Sequence, residues 1–447
     1  MNPKKKKKKL NRYNKKSKTK RYNILIAVDL IPWIKELEQN PPSIIGFTIS
    51  RMEYIISLII SHKQDKHLGA YSVLKMEYIQ NVVPQANDYL DFLLDKNIIE
   101  RINYFAGRNS YMYRLLNEGK TEYRAITDKE LINRIENNRE EMKKRNSKKY
   151  PILNSFIRKV KIDYEEAIKT VELTYQENIR KGNEKAEGRR TFSLGEINKI
   201  DSRDIYIKIN DTNERLDSNF TRLPSELVPH LTIDGNSLTE IDIRCSQPFF
   251  SSTLFFPKPE IINVLNDFLG RSHTMSVLSL HIYDCVDVKL YSSLVITGKF
   301  YEYMMEKFKE NDIAFIDRDD LKEKMFIVLF GKREAFIYNK AARLFKELFP
   351  NVQKLFDLIK KDEHNMLSVL LQRIESYTII KRTVQNVISE LPGLPFLTKH
   401  DSLLPSQNYL PDEVNKVKLI MLSTIREVTG LTPQLKIKSD SNLKIRV

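Results

Sequence analysis

Glu240-Ile241-Asp242-Ile243-Arg244-Cys245-Ser246-Gln247-Pro248 is the stretch on which the fold turns. It begins inside a short apolar strand pattern that opens at Leu238, and a helix-like run follows it. Such an order presents an acid at the end of a sheet. A second acid is framed in the same way in Lys399-His400-Asp401-Ser402-Leu403-Leu404. There Phe396-Leu397-Thr398 and Leu403-Leu404 read as two strands and His400-Asp401 as the tight turn between them. Each signal is weak alone, because strand-end aspartates usually cap turns and His-Asp pairs arise by chance.

Between the two acids lies Arg318 to Gly331, RDDLKEKMFIVLFG. Arg318, Lys322, Phe326 and Phe330 recur every four residues. On a helix each such step advances about 40°, so the four side chains form one slowly drifting stripe. It is cationic at one end and aromatic at the other. A nucleoside triphosphate has the same polarity, with charged phosphates at one end and a flat base at the other. Arg offers forked donors and Lys a point charge. Taken alone, the stripe reads as an ordinary amphipathic helix with Phe326 and Phe330 in the core and the cations in solvent.

The chain of 447 residues is long enough for two or three domains. Its net charge of +16 is concentrated at the start, where residues 1–21 carry twelve Lys or Arg and no acid. Without that tail, 62 basic residues face 58 acidic ones. Such a block repels itself and is expected to be disordered, with phosphate contact the favoured use. Cys245 and Cys285 are too few for a disulfide scaffold, which fits a reducing cytosol. No secretory signal or membrane-spanning run is visible, so a cytoplasmic protein with no membrane partner is expected.

Residues 22–120 read as a winged-helix-like domain. A helical pattern over Asn87–Glu100 precedes a hairpin pattern over Arg101–Leu116 that turns at Ala106–Asn109. Tyr104, Arg108, Tyr111 and Arg114 would line the wing. The same pattern also fits a purely structural hairpin or a protein contact. Residues 121–200 read as charged helices, a thumb-like region. Residues 201–447 begin with strand patterns at Ile205–Ile209 and Leu238–Ile243 and become mostly helical from Ser272.

Asp242, then Arg318-Lys322-Phe326-Phe330-Gly331, then His400-Asp401 resembles, in order, motifs A, B and C of the family A DNA polymerases. Arg215-Leu216-Asp217-Ser218 resembles the segment of that family that tracks the primer–template. Leu371-Gln372 resembles one whose Gln touches the minor groove. The likeness spans about 211–404, and it is greatest to the minimal members found in phages, plasmids and transposons. It implies an α+β right-hand polymerase, with an antiparallel palm sheet and helical fingers and thumb. No stretch resembles the family's proofreading exonuclease. Departures are Glu214 in place of the usual Gly, Phe330 in place of Tyr, Ser402 where many relatives carry Glu, and Gln247, followed by Pro248, where a Glu screens the sugar.

The resemblance implies two-metal phosphoryl transfer. Asp242, Asp401 and the Ile243 carbonyl would hold two Mg²⁺ ions, with Mn²⁺ an alternative. Arg318 and Lys322 would hold the triphosphate, Lys322 also protonating the leaving group. Phe326 would meet sugar and base, and Phe330 would guard the template position. Gln247 would screen the 2′ position, its amide able to donate to a hydroxyl. Arg215, Gln372 and His400 would contact the primer–template; Glu375 is a minor-groove or palm position without a role. The expected partners are a DNA primer–template, deoxynucleoside triphosphates and replication accessory proteins, the chain itself being a monomer. Two further readings stay open: a DNA-binding replication initiator with an inactive palm, and a primer-independent RNA polymerase or primase.

Overall fold

The computed structural model describes residues 22–61, 71–74, 76–102, 111–117, 119–147, 150–331, 338–407 and 412–438. The basic tail, the 106–109 turn, and Tyr104 and Arg108 lie outside them. The chain forms two compact units. One comprises the described residues up to Arg145 together with Val171–Asp204; the other comprises Asn146–Thr170 and the described residues from Ile205 onward. The segment expected to be a single helical region, 121–200, is therefore divided between them; a strand at Thr121–Ile126 precedes its helices and one at Val160–Ile162 interrupts them.

Among the described residues the first unit has five strands: Tyr22–Ala27 (β1), Ser72–Val73 (β2), Ile99–Ile102 (β3), Met112–Leu115 (β4) and Thr121–Ile126 (β5). β1 reads YNILIA, and its last four residues are buried. It pairs antiparallel with β5, from Tyr22 opposite Ile126 to Ala27 opposite Thr121. The helix Ile49–Ser61 is buried continuously from Arg51 to Ile60. Its polar members are partnered: Glu53 with Arg124 at 2.8 Å, and Ser57, whose hydroxyl accepts from the Leu25 amide at 3.0 Å. Helix Ala86–Asp95 buries Tyr89, Leu90 and Leu93, spaced as one apolar face. It is shorter than the Asn87–Glu100 pattern suggested, because Asn97 takes a positive φ of 53° and sends the chain into β3. β3 and β4 pair antiparallel in a three-stranded sheet ordered β2-β4-β3.

The second unit carries Val160–Ile162 (β6), Ile207–Ile209 (β7), Leu216–Ser218 (β8), Leu231–Ile233 (β9), Asn236–Ser237 (β10), Glu240–Ile243 (β11), Phe396–Lys399 (β12), Ser402–Pro405 (β13) and Leu435–Lys438 (β14). Its principal sheet is antiparallel in the order β12-β13-β11-β14. β11 and β13 lie inside and are nearly wholly buried. Helices Pro151–Ile157 and Asn219–Arg222 pack against β12, and Glu413–Thr429 packs against β13. Tyr291, buried on Val286–Ile296, sits among Phe300, Phe345, Phe349 and Phe356, with ring centroids 5.4–6.4 Å away. Its hydroxyl bonds the Ser251 hydroxyl at 2.7 Å, which satisfies the one polar atom brought into that cluster. Helix Met366–Ser376 runs on through a π-helical stretch, Tyr377–Thr383. Such stretches gather at functional sites.

Candidate functional site

Sheet register brings the two strand-end acids to one place. Ile241 lies opposite Leu403, so Asp242 falls opposite Ser402, the residue after Asp401. Lys399 pairs with Ser402, leaving His400 and Asp401 as a two-residue turn. His400 has φ of 55°, the left-handed twist that such hairpins use. Cys245, with φ of 54°, turns the chain sharply from β11 into the helix Ser246–Ser252. Pro248 then stands in the first turn, where its missing N–H has no helical acceptor to lose.

Burial pushes the Asp401 carboxyl well above the ordinary carboxylate range, and the charges of Asp242 and Glu375 push it further. The Ser246 hydroxyl lies beside both Asp401 and Glu375 and opposes the rise, at a geometry short of a full hydrogen bond. Asp242 is met by Lys438, on β14, at 3.0 Å; the same ammonium reaches Glu240 at 3.1 Å. Ile243 ends β11 opposite Leu435. Among the described residues no group of three His, Cys, Asp or Glu side chains is set to hold a metal ion. Two carboxylates can still suit Mg²⁺, which takes hard oxygen donors and keeps waters and substrate phosphates as its other ligands. Asp242 and Glu375 are each already met by a cation of the chain, Lys438 and Arg215.

The helix Arg318–Phe330 forms as the spacing predicts, capped by the Asp317 carboxylate on the amides of Asp319 and Asp320. Lys360 donates to the Val328 carbonyl near its other end at 2.5 Å. The cations of the stripe already have partners. Arg318 pairs with Glu302 at 3.1 Å and lies over the Tyr301 ring, and Lys322 pairs with Asp319 at 2.8 Å. Phe326 is 38% exposed, and its ring lies 5.3 Å from that of Phe330. The purely structural alternative, with both rings in the core, therefore does not describe Phe326; the buried side of the helix is Leu321, Met325, Val328 and Leu329.

Two of the residues expected at the primer–template, Arg215 and Gln372, are already engaged with other side chains of the chain. Arg215 makes a fork on Glu375, Nε to one carboxylate oxygen and Nη2 to the other, both at 2.8 Å. Gln372 accepts from the Asn213 amide at 2.9 Å. One of the two Gln247 N–H donors is already engaged: Nε2 donates to Glu375 at 2.6 Å. Glu214, where the resemblance has Gly, adopts φ of 58°. Only Gly takes that conformation without strain. The Lys381 ammonium lies 2.5 Å from the Glu214 carboxylate.

Burial, with the charges of Arg215 and Lys399, drops the His400 imidazole to about 4. Its Nδ1 is removed from water and has no partner among the described residues. The folded pKa lies below the unfolded value of about 6.5. Between those values the unfolded chain binds the proton and the fold does not, so stability is lost as pH falls from about 6.5 to about 4. The full effect is at most about 3 kcal/mol. His400→Asn, which tolerates a positive φ, is expected to flatten this part of the acid limb in urea unfolding at pH 7, 5.5 and 4.5. An unchanged slope would mean that His400 is not buried neutral.

Sequence reasoning passed over Lys438 and Ser246 and left Glu375 without a role. The alternating Leu435-Lys436-Ile437-Lys438 was the signal for β14, and with it for a cation beside Asp242. No family model matches the sequence, and no curated protein matches it. Among solved structures, the POL domain of Pol1 from M. smegmatis, in complex with DNA primer-template and dNTP, is similar at 13% identity with a TM-score of 0.31. The match covers 59% of this chain and 54% of that one, so this chain spans about half the length of that structure. At that score the likeness does not identify a fold. Among the described residues no helix is long and apolar enough to cross a membrane.

Proposed function

We propose that the chain is a template-directed nucleotidyltransferase of the family A polymerase kind, extending a primer 3′ end with deoxynucleotides and lacking proofreading. The observation that carries this reading is the convergence of Asp242 and Asp401 at one end of the β12-β13-β11-β14 sheet, close enough for the charge of one to raise the proton affinity of the other. Acids that share a cation are commonly set in this way.

Asp242, Asp401 and the Ile243 carbonyl would hold the cations. Bound there, a pair of divalent ions supplies charge neutralisation for the primer hydroxyl and for the leaving pyrophosphate. The remaining work belongs to the chain. Arg318 and Lys322 exchange Glu302 and Asp319 for triphosphate oxygens. Phe326 offers an exposed ring to the sugar and base, with Phe330 behind it. His400 sits at the turn as a contact for the primer end rather than as an acid or base at pH 7, in keeping with the drop of its imidazole to about 4. A mobile element or phage is the proposed setting.

Primer extension tests the reading, with Mg²⁺ or Mn²⁺, deoxy- or ribonucleotides, and primed or unprimed DNA and RNA templates. Metal-dependent extension of primed DNA is expected. DNA binding without incorporation under any condition would favour the inactive initiator, and unprimed ribonucleotide synthesis would favour the primase. A related outcome concerns Phe326, whose ring lacks a hydroxyl to replace a missing 3′-hydroxyl contact. Dideoxynucleotides should be poor substrates, and Phe326→Tyr should improve their use by about tenfold or more, the scale of one well-placed hydrogen bond. Equal use of terminators and normal nucleotides by the unmodified protein would remove Phe326 from the sugar.

A further inference from the structure

Gln247 is held by a buried chain of polar groups. Its Nε2 donates to Glu375 Oε2 at 2.6 Å. The same carboxyl takes the Arg215 fork, and Glu375 is 1% exposed. Amide orientation is ordinarily ambiguous, because O and N look alike. Here the partner decides it: a carboxylate held by an arginine fork can only accept, so Nε2 must face Glu375 and Oε1 must face elsewhere. Oε1 is removed from water and has no partner among the described residues. Gln247 is therefore fixed through one of its two N–H donors, with Oε1 turned away from Glu375.

This also accounts for the residue type. A glutamate at 247 would set one carboxyl against another at hydrogen-bond distance in a buried place, beside Asp401. Glutamine is the side chain of that size that Glu375 can hold.

We propose that Glu375 is a positioning residue for sugar selection at the nucleotide site, acting through Gln247. The inference rests on the polymerase reading above. Glu375 touches neither sugar nor cation in this scheme. It stops the Gln247 amide from swinging, so that the amide's bulk stands where a 2′-hydroxyl would come. Discrimination against ribose then depends on the amide being held still.

The test is the ratio of kcat/KM for deoxy- over ribonucleotides, measured with thermal unfolding of each variant. Glu375→Ala and Gln247→Ala are each expected to lower the ratio by about tenfold, the worth of one hydrogen bond. The double variant should lower it no further, as two members of one unit behave. Since Glu375→Ala strands Arg215 and can impair folding, a size-matched exchange gives the second arm. Gln247→Glu alone should depress nucleotide use about tenfold, and Gln247→Glu with Glu375→Gln should return the ratio to within about threefold of the starting protein. That exchange keeps one N–H···O contact between the positions and an acceptor for Arg215. A Glu375→Ala protein whose kcat falls equally for both sugars, or an exchange no better than Gln247→Glu, would overturn the inference and leave the polymerase reading standing. Starting protein that incorporates neither sugar would overturn both.

Discussion

Asp401→Asn is expected to abolish nucleotide incorporation and, at the same time, to make the protein harder to unfold. The two effects have one origin. Burial and the charges of Asp242 and Glu375 raise the Asp401 carboxyl well above its ordinary range. Its folded pKa exceeds the unfolded value, so in the interval between them the folded state keeps a proton that the unfolded chain has released. Stability falls as pH rises through that interval and stays lowered at neutral pH. An amide of the same shape removes the like charge, and a gain on the order of 1 kcal/mol is expected at pH 7, read as a higher Tm. The rate should fall by about a thousandfold or more, because a metal-holding carboxylate is lost. Asp242→Asn should match the loss of rate, but its stability gain should be smaller, because Lys438 loses one of its two carboxylate partners. Native DNA binding in both variants separates lost chemistry from lost fold. Full activity in either would remove the two-metal reading.

Those two acids were legible in the sequence because each sits where local pattern is strongest, at the end of an apolar alternation and on a two-residue turn. The helix Arg318–Phe330 was legible for a similar reason: its stripe repeats every four residues, and Asp317 supplies a cap. Long-range partners were not. Nothing local to Glu375 says that Arg215, 160 residues earlier, will fork onto it, or that Gln247 will donate to it from 128 residues away. Lys438 reaches Asp242 only because β14 adds to the far side of β11, and strand order within a sheet is not written in any one strand. Within 121–200 the strand β6 was not legible, because Val160–Ile162 has three residues, too few for alternation to stand out among charged neighbours. Glu214 shows the reverse case. The resemblance calls for Gly, and the observed φ of 58° gives the backbone reason for that expectation even though the residue differs.

Lys322→Ala should lower kcat/KM for the incoming nucleotide by about a hundredfold to a thousandfold while leaving the Kd for primed DNA within about twofold. Lys322 stands one helical step along the stripe from Arg318, and its ammonium lies 2.8 Å from the Asp319 carboxylate. Bonding by Lys322 holds Asp319 below the usual carboxylate range, against the opposing effect of burial. A pair this exposed contributes little to the fold, so removing Lys322 costs little stability and the loss reads as function. A triphosphate carries more charge than one carboxylate and would take the ammonium from Asp319. If Lys322 also gives a proton to the leaving pyrophosphate, the loss falls on kcat as well as on KM, whereas a purely binding role raises KM alone. Lys322→Arg separates these, since it keeps the charge and the reach but cannot release a proton at pH 7: restored KM with a depressed kcat marks the proton donor. Asp319→Asn should have the opposite sign, lowering KM by freeing Lys322 from its competitor. A Lys322→Ala protein that loses DNA affinity and keeps its nucleotide KM would show that the stripe faces the duplex, and the assignment of Arg318, Phe326 and Phe330 to the nucleotide would fall with it.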